Sequence, residues 1–321
     1  MEPAGTVEIE LSEGSEADLH RHLTKCKKNP GHSEFIPIDK FNINHLPERH
    51  RDSDLYDVIQ SVADLTVRIN VEMVSVNRPK LWPNSNVPYP LYQLRGKTNC
   101  RTGTGMVCSV EQYTTGCSKN GRKHLMEYKT CRCSTCQQAD VPSSVWWDVV
   151  VKTAAHVVFD KTEAQHSACR LFYDSQDSPC VILDNLSYAT SSLNIEEDWC
   201  NVSYMTCDTK LADKLQQLVQ QFDNNWRRVR DKYWISRDEI KLNFIVSHPH
   251  GCTKQVSIGH WVDKQSVGEN IYRFTYTTCT CPGSSGAKIF CIGYFGMGWY
   301  QPTHRGALES GINYSGSGHV V

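Results

Sequence analysis

One long amphipathic segment set between two groups of short strands constrains this chain most. Leu211, Leu215, Leu218, Val219, Phe222, Trp226, Val229 and Tyr233 recur at three- and four-residue steps, the spacing that gathers apolar side chains on one face of a helix. On either side the text changes. Short apolar runs separated by turn residues predict strands at Gly105–Val110, Val145–Thr153, Cys169–Tyr173, Val181–Leu183 and Cys200–Met205 before the helix. After it they predict Leu242–Ser247, Gln255–Trp261, Ile271–Thr277 and Lys288–Gly293. Such runs close into an all-β sandwich or barrel, so the helix reads as the connector between two β-barrels.

Five stretches follow: a polar N-terminal extension over 1–50, a helix–strand segment with a proline-rich strap over 51–95, a first barrel over 96–208, the connecting helix over 209–235 and a second barrel over 236–321. Within 51–95, Asp52-Ser53-Asp54 offers an N-cap to Leu55, Val58, Ile59 and Val62. Leu65, Val67, Ile69 and Val71 then alternate as a strand. The four prolines between Pro79 and Pro90 forbid regular structure there.

The net charge of −1 on 321 residues sets up no field for nucleic acid or for a membrane surface. The basic Arg227-Arg228-Val229-Arg230 stretch is interleaved with Asp223 and Asp231, as on a solvated helix face. No run approaches the ~18 apolar residues of a membrane span. If Met1 is the start, no apolar leader follows it, and an intracellular, cytoplasmic location is expected. The fifteen cysteines then stay as thiols or bind metal in a reducing compartment, and the sequons at Asn185, Asn201 and Asn313 go unmodified.

Two local patterns carry chemistry. In Val151-Lys152-Thr153-Ala154-Ala155-His156 an apolar strand runs into two small residues and then an imidazole, which places His156 at a strand end where a barrel opens. In Cys281-Pro282-Gly283-Ser284-Ser285-Gly286-Ala287 glycines flank a serine. They permit the sharp turn that exposes a hydroxyl, and the N–H groups of Gly283 and Ser285 would form an oxyanion hole. The bland alternatives are a strand-capping histidine and a Gly/Ser-rich loop.

Taken together these motifs resemble those of the chymotrypsin-like serine proteases. Thr153-Ala154-Ala155-His156 is similar to their histidine motif and Gly283-Ser284-Ser285-Gly286-Ala287 to their nucleophile motif. Arg101-Thr102-Gly103-Thr104-Gly105-Met106-Val107 resembles their opening strand. His248-Pro249-His250-Gly251 followed by Lys254-Gln255-Val256-Ser257 resembles the start of their second barrel. The likeness covers roughly residues 96 to 318 and is closer to intracellular and bacterial members than to digestive trypsins. It implies a mainly β fold of two six-stranded Greek-key barrels and a His–Asp–Ser order. The family's carboxylate lies roughly 45 residues after the histidine and roughly 90 before the serine. Asp198 fits, 42 after His156 and 87 before Ser285, with Asp208 and Asp184 in reserve.

The resemblance also bears on specificity. Cys279 stands where trypsins carry the carboxylate that selects basic residues, so cleavage after Lys or Arg is not expected. Thr280 and His304 resemble the threonine and histidine with which glutamate-specific and picornavirus-type proteases grip an acidic or amide side chain. Against this, His304 follows Pro302 and reads equally as a surface residue in a turn. Ser284 replaces the aspartate of the trypsin zymogen switch, and no Ile-Val-Gly-Gly start precedes residue 96.

The implied activity is a serine endopeptidase acting on protein or peptide, with no cofactor for catalysis. The alternative is a catalytically silent module of the same fold that docks partners through its N-terminal and Cys-rich segments. In the Cys-rich insertion, Cys117, Cys131, Cys133 and Cys136, with His124 as a substitute, offer a structural zinc site. A reduced hairpin and disulfides stay open beside it.

Overall fold

The computed structural model describes residues 5–13, 15–184, 186–294, 300–308 and 311–320. The fold is mainly β, built on two antiparallel sheets. In the first, the strand order is Leu186–Asn194, Trp199–Thr206, Val145–Thr153, Thr98–Thr114, Thr66–Met73, Ser167–Leu171 and Val181–Leu183. In the second it is Gly5–Val7, His304–Leu308, Asn313–Ser315, Ile271–Tyr276, Gln255–Gly268, Leu242–Ser247 and Ile289–Cys291. A bridge between Lys288 and Thr303 brings the last of these strands back to the approach of His304–Leu308, which closes the second sheet into a barrel. Short strands add to both sheets, so among the described residues each carries nine strands rather than six.

Val145–Thr153 shows why these residues choose strand. It is rich in β-branched residues and buried along nearly its whole length, as expected of a central strand covered on both faces. The connecting helix spans Thr209–Tyr233. Asp208 caps it by accepting the Leu211 amide, and Arg230 and Lys232 sit in its last turn, where cations suit the helix dipole. Its buried stripe of Leu215, Phe222, Trp226 and Val229 packs on a second helix, Ser53–Leu65. Asn225 Nδ2 donates to Ser61 Oγ at 2.6 Å. Trp226 meets Phe290 edge-on at 5.1 Å, so the helix pair is stitched to the second barrel as well as to the first. No helix among the described residues is long and apolar enough to cross a membrane.

The segment before residue 96 is more deeply built in than its polar composition implies. Thr66–Met73 is a member of the first sheet, paired on both sides, with Val67, Ile69 and Val71 fully buried. Gly5–Val7, Glu10–Ser12 and Ile36–Pro37 all pair with barrel strands, and a helix spans Glu16–Thr24. Two barrel strands, Leu186–Asn194 and His304–Leu308, carry no alternating apolar signal in their sequences.

Removing the Trp226 side chain should leave a cavity between the helix pair and Phe290. Trp226→Ala is expected to lower stability by about 3–5 kcal/mol, read as a shift in urea midpoint at unchanged slope.

Candidate active site

The strand Val145–Thr153 delivers the imidazole. Beyond its end Ala154 and Ala155 are fully buried, and the chain turns on a Val157 N–H to Ala154 carbonyl bond. This fixes His156, itself fully buried. Beneath the turn lies a charged cluster. Glu163, with no exposure, accepts from the amides of Ser75 and Phe159 and from Arg78 and Arg101. Arg78 donates to the His156 carbonyl and Arg101 to the Val157 carbonyl, both at 3.0 Å. A carboxylate so buried is tolerable only when every oxygen is paired, so the cluster rigidifies the backbone that carries His156.

Asp198 meets the imidazole. His156 Nδ1–H donates to Asp198 Oδ2 at 2.7 Å, and the His156 amide donates to Oδ1 at 3.1 Å. Asp198 sits in the left-handed region, φ 58°, a conformation aspartate tolerates better than most residues. Thr303 Oγ1–H holds its carbonyl at 3.0 Å. Burial pushes the Asp198 pKa up, but the His156 ring, Arg305 and the His156 amide outweigh it and hold the carboxyl below its ordinary value. Arg305 approaches to 3.7 Å, and its guanidinium lies 3.7 Å from the centre of the Trp82 ring. An ionised Asp198 on Nδ1–H leaves Nε2 as the basic nitrogen of His156. Of the reserve carboxylates, Asp208 caps the connecting helix and Asp184 is exposed.

The serine loop is pinned by the first barrel. Thr104 N–H donates to the Ser285 carbonyl and Thr104 Oγ1–H to the Gly283 carbonyl, both at 2.8 Å. Thr153 Oγ1–H in turn donates to the Thr104 carbonyl at 2.7 Å. Gly283 and Gly286 take φ 94° and 88°, and a Cβ on Gly286 would lie 2.2 Å from Thr153 Oγ1. The serine loop therefore abuts the strand end three residues before His156. The Pro282 carbonyl accepts the His250 amide at 2.6 Å, which turns the Gly283 N–H of the same planar peptide the opposite way. Among the described residues the amides of Gly283 and Ser285 donate to no backbone carbonyl.

The groove at Ser285 is filled by the chain's own residues 5–12. Gly5, Thr6 and Val7 pair antiparallel with Leu308, Ala307 and Gly306, and the Glu8 amide donates to the Arg305 carbonyl at 3.3 Å. Any Cβ on Gly306 would lie 1.9 Å from the Thr6 carbonyl oxygen, so only glycine admits this strand. On the far side Glu10, Leu11 and Ser12 pair with Thr102, Arg101 and Cys100. Between the two pairings Ser285 Oγ–H donates to the Glu8 carbonyl, while His156 Nε2 has no hydrogen-bond partner.

The Glu8 side chain enters a closed polar pocket. Its carboxylate accepts His304 Nε2–H at 2.8 Å and Thr280 Oγ1–H at 2.9 Å, and it pairs with Lys28. Lys28 also donates to Asn313 Oδ1 at 2.7 Å. Burial raises the Glu8 pKa, yet the His304 ring and the Lys28 ammonium prevail and hold it down at about 2. His304 is fully buried rather than a surface residue. Burial drives its pKa below the ordinary value against the pull of Glu8, so the neutral ring donates through Nε2, and Nδ1 accepts from Tyr276 O–H at 2.6 Å. Cys279 does not touch Glu8; its thiol faces Glu34 at 3.0 Å and Asn29.

The cysteine insertion differs in membership from the sequence expectation. Cys131, Cys133 and Cys136 converge, but the fourth thiol is Cys207, which follows the strand Trp199–Thr206. Cys117 is exposed on the short strand Cys117–Ser118, paired with Tyr113 and Thr114. His124 lies apart, with its Nε2 3.1 Å from Asp148. Glu8, Lys28, Arg305 and Glu163 carry no local signal. Each acquires its place through partners far along the chain.

No family model matches the sequence, and no curated protein matches it. Among solved structures it is similar to an HtrA-type protease, AlgW, with decapeptide, at 11% identity and TM-score 0.36, over 81% of this chain and 62% of that one. It is also similar to the active form of the Rv3671c protease from M. tuberculosis, at 9% identity and TM-score 0.36, over 82% of this chain and 81% of that one. The chain thus spans less than two thirds of the HtrA-type protein's length.

The depressed pKa of Glu8 makes docking of residues 5–12 acid-labile. A carboxyl near 4.5 when undocked and about 2 when docked stabilises docking fully above pH 4.5 and progressively less as pH falls toward 2. Amide hydrogen exchange of residues 5–12, corrected for intrinsic rate, should show protection above pH 5 that falls below pH 4. Glu8→Gln should flatten that dependence.

Proposed function

We propose that the chain is a serine endopeptidase that cleaves protein or peptide on the carboxyl side of acidic residues. His156 Nε2 takes the proton from Ser285 Oγ as the oxygen attacks, and Asp198 holds the tautomer and stabilises the imidazolium. The amides of Gly283 and Ser285 receive the developing oxyanion. An acyl-enzyme forms as His156 protonates the leaving amine, and water, activated by the same imidazole, releases the acid. No cofactor takes part in these steps.

The observation that carries this reading is the seat of Glu8. Its carbonyl lies on the Ser285 hydroxyl while its carboxylate is bound by Thr280 and His304, an arrangement that fits an acidic residue before the scissile bond. Lys28 sharpens the choice between acid and amide. His304 and Thr280 share one carboxylate oxygen and Lys28 takes the other; a glutamine whose carbonyl oxygen served the first pair would turn its NH₂ toward the ammonium, so Glu is favoured over Gln. Residues 5–12 act as an internal occupant of the groove. With the Ser285 hydroxyl hydrogen directed at the Glu8 carbonyl rather than at His156, the Glu8–Ile9 bond is held in a resting geometry rather than an attacking one.

A second reading, the silent docking module, draws on that same missing contact between Ser285 and His156. A fluorophosphonate probe separates the two. Wild type should label slowly, and Glu8→Ala roughly tenfold faster or more, the response to losing a charge-assisted hydrogen bond of about 1.5–3 kcal/mol. Ser285→Ala should not label. A folded Glu8→Ala protein that stays unlabelled supports the silent module.

A further inference from the structure

The N-terminal segment touches the nucleophile loop at a second place, independent of the groove. Cys26 and His32 come from the segment, His250 from the turn between the second-barrel strands Leu242–Ser247 and Gln255–Gly268, and Cys281 from the residue before Pro282 in the serine loop. One ligand atom from each lies within 4.8 Å of all the others. We infer that these four side chains bind a single divalent ion of the zinc class and so fasten the N-terminal segment to the loop that carries Ser285.

The spacing is that of a tetrahedral shell. With metal–sulfur bonds near 2.3 Å and metal–nitrogen bonds near 2.05 Å, ligand atoms around zinc stand about 3.8 Å apart for two sulfurs and about 3.6 Å for sulfur and nitrogen. Cys26 Sγ and Cys281 Sγ are 3.6 Å apart, and Cys281 Sγ is 3.5 Å from His32 Nε2. The His32 and His250 rings meet edge to face at 5.4 Å, so the two imidazoles do not collide.

A buried orphan points to the same ligand. His250 is 4% exposed; its Nδ1 is bound to Glu10 at 2.6 Å, and its Nε2 has no hydrogen-bond partner. An imidazole whose distal N–H is held by a carboxylate, with the other nitrogen bare, is the arrangement that orients a metal-ligating histidine. Asn29 holds both sulfurs in place: its amide donates to Cys26 Sγ at 3.4 Å and its Nδ2 to Cys281 Sγ at 3.1 Å, outer contacts of the kind that orient metal ligands. Two thiolates and two neutral imidazoles select zinc over calcium or magnesium. Binding releases two thiol protons and leaves no net charge in the shell. Two surface openings, one lined by Lys25, Cys26 and His250 and one by His32, Phe35 and Pro249, give the ion a path in.

One consequence rests on the protease reading. An ion at Cys281 stands beside the Pro282–Gly283 peptide and holds residues 26–32 against it, so it also retains residues 5–12 in the groove. Removing it would free Ser285.

The test uses the full chain, purified reduced, with zinc measured by elemental analysis and cobalt(II) added to the chelator-treated protein. Cys26→Ser and His32→Ala, each with wild-type circular dichroism, should each hold one equivalent of zinc fewer than wild type, whatever the Cys131 group holds. The cobalt difference spectrum of wild type minus variant should carry tetrahedral d–d bands with thiolate charge transfer. Equal metal content in wild type and both variants overturns the inference, as does a Cys26–Cys281 disulfide found with no difference in metal. Chelation should raise fluorophosphonate labelling of wild type but not of Cys26→Ser. A metal difference with no labelling in any form would keep the site and remove the protease reading instead.

Discussion

A carboxylate taken out of water must be paired, and Glu8 is paired by three groups that no local sequence brings together. His304 and Thr280 belong to the second barrel and Lys28 to the N-terminal segment. Desolvating this one charge therefore fixes the register of residues 5–12 against the barrel. A slip of one residue along the groove would point the carboxylate away from its partners and leave a buried ion without compensation, at a cost of several kcal/mol. The backbone pairings on either side then follow, and the Glu8 carbonyl has no other place to go than Ser285.

The rest of the site is held by contacts between barrels rather than within them. Thr104 is the central piece. Its amide and hydroxyl hold the serine loop, and its carbonyl receives Thr153 from the strand that leads to His156. Glu163, Arg78 and Arg101 then set the backbone at His156 and Val157 from below. Imidazole and hydroxyl are thus each fixed to the first sheet, although the hydroxyl is carried by the second.

Elements whose signal is their own composition were legible in the sequence. Val145–Thr153, Val181–Leu183 and Leu242–Ser247 stand where their apolar runs predict them, and the connecting helix follows its stripe of Leu215, Phe222 and Trp226. Asp198 was reachable through the family resemblance, whose spacing from histidine and serine points to it. Leu186–Asn194 was not, because its text is largely hydroxyl-bearing and small. His304–Leu308 was not, because a His-Arg-Gly-Ala-Leu strand owes its burial to what covers it. The pocket was half legible, through Thr280 and His304; its occupant was not, since Glu8 meets its partners 20, 272 and 296 residues away. Cys207 displaced Cys117 for a similar reason, as the sheet folds the end of Trp199–Thr206 over the insertion.

Metal and carboxylate, acting at two points of the same segment, would make the first thirty residues the part of the chain that decides whether the groove is open. Whether the groove reads an acidic side chain is decided by the cleavage profile of the Glu8→Ala protein on a peptide library with every residue represented before the scissile bond. Cuts should concentrate after Glu, with Gln well below it and Lys and Arg absent. Cleavage after aromatic or aliphatic residues with no Glu signal would rule out recognition of an acidic side chain by Thr280 and His304.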